Sequence, residues 1–180
     1  FSGDDARWEM ARRVIATGID RDGAFLDIGC ASGYLMETLT RWAAEDDRTI
    51  EPYGLDISPA LVDLARSRLP HWADRIVVGD AFVWRPSDGM RFDFVRTELV
   101  YVPRDQQPDF VQHLLMNVVT PGGRLLVCSY GSSRRPAPLV EPIDDDLRSW
   151  GFEVVGVEDA ADPANGILVT RVVEVIAPAS

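Results

Sequence analysis

The chemistry of this chain is concentrated where Ala24–Gly33, AFLDIGCASG, passes from an apolar run into a run of small residues. Ala24, Phe25, Leu26 and Ile28, interrupted by Asp27, read as a strand. Gly29, Cys30, Ala31, Ser32 and Gly33 read as a tight turn, and helical periodicity begins at Tyr34. A strand, tight loop and helix start in this order leave backbone N–H groups unpaired at the helix N-terminus, and glycines without a Cβ let a ligand approach them. The loop is therefore expected to hold a cofactor. A second apolar run, EPYGLD, ends in Asp56. In a βαβ unit the second strand neighbours the first, so Asp56 should sit beside the loop, where a carboxylate can accept both hydroxyls of a ribose. Such charge-assisted bonds contribute about 1.5–3 kcal/mol each.

The spacing separates two nucleotide-type cofactors. A dinucleotide loop of the form G-x-G-x-x-G counted from Gly29 needs its third small residue where this chain has Tyr34. The small residues fall instead at 29, 31 and 33, with an acid two positions before the first. This D-x-G-x-A-x-G pattern resembles the first motif of the class I S-adenosylmethionine (SAM)-dependent methyltransferases, with Ala31 where that family often has glycine. The resemblance continues through GLDIS around Asp56, through VVGDA, and through the strand FDFV. It implies SAM as cofactor and S-adenosylhomocysteine (SAH) as product. Cofactor contacts would come from Asp27, Gly29, Cys30, Ala31, Gly33, Asp56 and Ile57, from Asp80 and Ala81 at the adenine, and from Thr97.

In the same family, residues after the fourth strand line the methyl-transfer site. Glu98 there is the candidate proton acceptor, and Tyr101 and Tyr130 are candidate aromatic walls or hydrogen-bonding groups. Tyr130 and Arg134, both in the aperiodic stretch YGSSRRPAPLVEP, are candidate substrate contacts. The chain lacks the N-P-P-Y or D-P-P-Y tetrapeptide of methylators of planar nitrogens and the Pro-Cys nucleophile of cytosine five-position methylators. A small-molecule acceptor, methylated on oxygen or nitrogen, is the favoured expectation. A protein acceptor and a non-catalytic SAM-binding subunit are the alternatives.

Positioning these residues requires alternating strands and helices. Trp8, Ala11, Val14 and Ile15 mark a first helix capped by Asp4 or Asp5, ending at Gly18 and packing beside the first strand. Leu35, Leu39, Trp42 and Ala43 form the stripe of the second helix. Ser58 and Pro59 start the third, with Leu61, Leu64, Ala65 and Leu69 as its buried face. Arg75–Val78 is the third strand. Asp105 caps a helix with the stripe Phe110, Val111, Leu114, Leu115 and Val118. Thr120–Gly123 closes that helix, and Leu125–Ser129 is the fifth strand. A short helix at Ile143–Trp150 precedes two β-rich runs, Phe152–Val157 and Ile167–Ile176, joined as a hairpin. The pattern predicts an α/β fold with a seven-stranded, mostly parallel, doubly wound sheet whose last strand is antiparallel. The resemblance implies the strand order 3-2-1-4-5-7-6.

At 180 residues the chain suits a single domain spanning 1–180. Its 46% hydrophobic and 26% charged residues are ordinary for a globule, whereas a net charge of −11 argues against nucleic acid as partner. No apolar run reaches the ~18 residues of a membrane span, and the start at Phe1 lacks a signal peptide's basic and apolar regions. A cytoplasmic location, no membrane partner and no metal are expected. Cys30 and Cys128 read as reduced thiols.

Overall fold

The computed structural model describes residues 5–131 and 139–179. Helix α1 (Asp5–Arg13) leads into a 3-10 turn (Val14–Gly18). Strand β1 (Gly23–Ile28) and α2 (Tyr34–Glu45) follow, then β2 (Ile50–Asp56), α3 (Pro59–Arg68), β3 (Ile76–Val78) and β4 (Phe92–Glu98). The chain continues through α4 (Gln107–Asn117), β5 (Val119–Tyr130), α5 (Ile143–Ser149), β6 (Val154–Ala161) and β7 (Leu168–Ile176). The seven strands form one sheet in the order β3-β2-β1-β4-β5-β7-β6. β1 through β5 pair in parallel, and β7 runs antiparallel to both β5 and β6, as the sequence pattern predicted.

Side chains alternate across a strand, so neighbouring residues feed opposite faces. Leu26, Val95, Leu125 and Val173 pack with α4 and α5 on one face, while Phe25, Phe94, Leu126 and Val172 pack with Trp42, Leu39 and Ile15 on the other. A third cluster, Met36, Val62, Ala65, Leu69 and Ile76, holds α3 and α2 together beside Cys30.

Several boundaries differ from the sequence reading. The first helix divides. The 3-10 turn carries Ile15 and Ile19 into the cluster with Phe25, whereas α1 itself reaches the far edge of the sheet, where Arg7 pairs with Asp162 at 2.7 Å and Thr170 bonds the Ala11 carbonyl. Its cap expected at Asp4 or Asp5 falls at the boundary of the described residues. On α3 the buried face is Val62, Ala65 and Leu69, while Leu61 and Leu64 are 37% and 47% exposed. This helix lies at the β3 edge of the sheet, over β3 and β2, so its apolar stripe is narrower than its sequence suggests.

Thr120–Gly123 does not close α4. It is the irregular start of β5, where Phe92 pairs with Val119 before the register shifts. Gly123 is required there because a Cβ would lie 2.8 Å from the Thr120 carbonyl and 2.9 Å from that of Asp93. Asp105 lies in a 3-10 turn (Arg104–Gln106) and caps nothing; α4 starts after Gln106 without a side-chain cap. The Phe152–Val157 strand begins two residues later, at Val154, and runs on to Ala161.

Candidate active site

The loop after β1 is shaped by three positive φ angles, Gly29 at 76°, Ala31 at 49° and Gly33 at 74°. Its backbone is pinned to the end of β2: the Gly29 and Cys30 N–H groups donate to the Leu55 carbonyl at 2.8 and 3.2 Å. A Cβ on Gly29 would meet nothing within 4 Å, so the peptide turn is bare on its open side. Gly33 faces inward instead, and a Cβ there would lie 2.7 Å from Leu69 Cδ1. Cys30 is buried, with its Sγ against Gly54. Burial, followed by the charge of Asp27, pushes its thiol far above the ordinary range.

Asp56 closes the other side of the turn. Its Oδ2 accepts the Ala31 N–H and its Oδ1 the Ser58 N–H, both at 2.9 Å. A carboxylate offers about four acceptor positions, so two remain for a ligand. Asp80 follows β3, whose exit is tied to β2 by the Gly79 N–H on the Asp56 carbonyl at 3.0 Å. Its Oδ1 accepts the Phe82 N–H at 3.0 Å, and the side chain is exposed. Between these groups lies a cleft of about 700 Å³ at the carboxyl ends of β1 to β4. Gly29, Ala31, Asp56, Ile57, Asp80, Ala81, Thr97, Glu98 and Tyr101 all line it, with Leu61, Phe82 and Phe110 as apolar walls. Tyr101 is 81% exposed and stands at the mouth.

Two of the three acids expected to converge, Asp56 and Asp80, face this cleft. Asp27 does not: it lies beneath the loop, 1% exposed. Its Oδ1 is 3.3 Å from Arg96 Nη1, and its Oδ2 is buried without a hydrogen-bond partner among the described residues. Burial pushes its carboxyl up to about 6; Arg96 opposes this, and the charges of Glu98 and Asp56 add to it. Tyr130 is likewise set apart from the cleft lining. Two guanidiniums lie over its ring, Arg12 at 3.5 Å and Arg96 at 5.4 Å from the centroid, and burial raises its hydroxyl well above the usual range. Arg134 lies outside the described residues.

Arg96 organises this buried layer, and the sequence reading passed over it. From the middle of β4 it donates to Asp27 and to the Ile28 carbonyl, each at 3.3 Å, to the Tyr130 hydroxyl at 2.9 Å, and in a short contact to Glu98 Oε1. The available signal was a charge inside an apolar strand, since a buried guanidinium requires partners. Gln107 is the second residue missed. Its Nε2 donates to the Leu99 and Val102 carbonyls, both at 3.1 Å, holding the loop that carries Tyr101 and Val102 to the cleft.

This sheet order, with a bare turn after β1 and a carboxylate after β2, defines a class. A family model described as a methyltransferase domain matches residues 25–123. The chain belongs to that family, within the class I SAM-dependent methyltransferases, and SAM is the cofactor its cleft fits. It is 27% identical over 164 residues to the trans-aconitate 2-methyltransferase of Methylobacterium radiotolerans, covering 89% of this chain and 56% of that protein. It is 29% identical over 137 residues to the demethylmenaquinone methyltransferase of Tropheryma whipplei, covering 73% and 51% respectively. The chain thus spans about half the length of the curated relatives it matches. The glycopeptide N-methyltransferase MtfA shares the fold with a TM-score of 0.72 at 17% identity, over 99% of this chain and 92% of that one. No helix among the described residues is long and apolar enough to cross a membrane.

Proposed function

We propose that the chain, as one domain over residues 1–180, transfers a methyl group from SAM to an oxygen or nitrogen atom of a small-molecule metabolite in the cytoplasm. The observation carrying this reading is the pairing of a turn without a Cβ at Gly29 with a largely buried Asp56 whose two oxygens each keep an acceptor position. When bound, SAM supplies a methyl carbon already activated by a sulfonium leaving group, so the protein's part is placement, exclusion of water and proton management.

Asp56 would accept the ribose hydroxyls. Asp80 and the Ala81 N–H would meet the adenine edge, between the apolar side chains of Ile57, Leu61, Phe82 and Phe110. Gly29 and Ala31 would contribute backbone at the cleft, Cys30 and Gly33 hold the loop's shape from within, and Asp27 acts from beneath through Arg96. Thr97 and Glu98 stand beyond the loop on β4, where Glu98 is the group placed to take a proton from the acceptor. Tyr101 would wall the mouth. A net charge of −11 and carboxylates in the cleft weigh against a nucleic-acid acceptor.

Calorimetric titration with SAM, SAH and NAD tests the cofactor: SAM and SAH should bind and NAD should not. Asp56→Ala should weaken SAH binding about tenfold or more, the loss of at least one charge-assisted hydrogen bond. Label transfer from methyl-labelled SAM across metabolite pools tests turnover. Binding without transfer to any pool would make the domain a cofactor-binding subunit rather than an enzyme.

A further inference from the structure

The charged groups lining the cleft are all of one sign. Among the described residues that line it are Asp56, Asp80 and Glu98, and no Lys, Arg or His. On the cofactor reading above, on which this inference rests, Asp56 and Asp80 are taken by the adenosyl group. Glu98 is left. The strand order places it, because Asp56 and Glu98 end β2 and β4 and Asp80 lies just past β3, with β1 and its loop between β2 and β4. Glu98 therefore stands two strand spacings, about 10 Å, from Asp56 on the far side of the bare turn.

Its carboxylate is fixed and half used. Oε1 receives Arg96 Nη2, whereas Oε2 has no hydrogen-bond partner among the described residues, and the side chain is 19% exposed. Tyr101, Val102, Pro103 and Phe110 give the adjoining lining an apolar character. Arg96 does not cancel this charge, because its guanidinium is shared with Asp27 on the other side, two carboxylates on one cation. An anion entering here meets like charge, and a neutral hydroxyl donates to the carboxylate but leaves its charge unneutralised. A protonated nitrogen adds opposite charge to the hydrogen bond, an ion pair in a partly desolvated place.

We propose that the methyl acceptor is a small amine, anchored as its ammonium by the free oxygen of Glu98, with Arg96 as the positioning residue that holds the carboxylate. Contacts from Arg96 to β1, β4 and β5 prevent Glu98 from turning away. The ammonium must release one proton before its lone pair is available. That proton passes to Glu98 Oε2 and on to water at the open mouth, restoring the carboxylate.

The test is calorimetric titration of the SAH-saturated protein with phenethylamine, 2-phenylethanol and 3-phenylpropanoate, three probes of similar size. The amine should bind about tenfold or more tighter than either other probe, the advantage of an ion pair over a neutral donor or a like charge. Glu98→Gln should erase the preference while leaving SAH affinity within about twofold, and Glu98→Asp should retain part of it. Arg96→Lys, folded as judged by unchanged SAH binding, should narrow the ratio because a shorter side chain with one nitrogen does not reproduce the fork that reaches Asp27 from Nη1 and Glu98 from Nη2. Equal or tighter binding of the alcohol or the carboxylate, or a preference that survives Glu98→Gln, overturns the proposal. So does methyl transfer to trans-aconitate without transfer to any amine. Failure of SAH to bind removes the cofactor reading and this inference together, whereas SAH binding without amine preference removes this inference alone.

Discussion

Ala31 carries a φ of 49°, a left-handed conformation that costs a residue with a Cβ about 1–2 kcal/mol. It can be borne because the Ala31 N–H is held by Asp56 at 2.9 Å. Ala31→Gly should leave the urea midpoint unchanged or raise it slightly, since relieved strain is offset by a more flexible unfolded chain. Ala31→Val, β-branched in the same conformation, should lose about 1–2 kcal/mol or more.

Asp27 sets a pH dependence of opposite sense to that of most paired carboxylates. Burial raises its carboxyl from the ordinary 3.8 to about 6, so the folded protein binds this proton before the unfolded chain does. Its contribution to stability is complete below the unfolded value and is lost as pH rises through about 6. Unfolding free energy measured by urea should fall by roughly 3 kcal/mol across that window on account of this group alone. Asp27→Asn should flatten the profile there. An unchanged profile in the variant would remove Asp27 as its source.

Among the elements, helices depend on contacts that periodicity does not contain. Gly33 starts α2 at a φ of 74° with Leu69, beyond the end of α3, 2.7 Å from where a Cβ would lie. Gly33→Ala therefore adds a clash to a strained backbone, and a loss of about 1–2 kcal/mol or more is expected on unfolding. The segment after β4 shows the same dependence. It has no regular structure of its own over Leu99–Pro103 except a short turn, and two carbonyls bond Gln107 at the start of α4. Gln107→Met keeps the volume and removes both bonds, so amides between 99 and 103 should exchange faster while core amides of β1 and β4 are unchanged. The buried stripe of α4 was readable because that helix covers the sheet centre. The stripe of α3 was misplaced because Leu61 faces the cleft rather than the core.

At the scale of the whole molecule, a single sheet carries two apolar faces, and α1 is tied to its far edge through Asp162 and Thr170. A domain built this way should unfold in one transition, with tryptophan fluorescence and far-ultraviolet circular dichroism coinciding. SAH at a hundred times its dissociation constant should add about 2.7 kcal/mol to its stability. Strand alternation, the small residues at 29, 31 and 33, and the acids ending two strands were enough to establish the α/β class and to find the bare turn after β1. These are local patterns, set by backbone geometry within a few residues. Which acids face the cleft was beyond them. Asp27, Arg96, Glu98 and Tyr130 lie on three strands and meet only because β1, β4 and β5 are neighbours in the sheet. The burial that withdraws Asp27 and leaves one oxygen of Glu98 without a partner among the described residues comes from packing between segments far apart in the chain, which no spacing within one segment encodes.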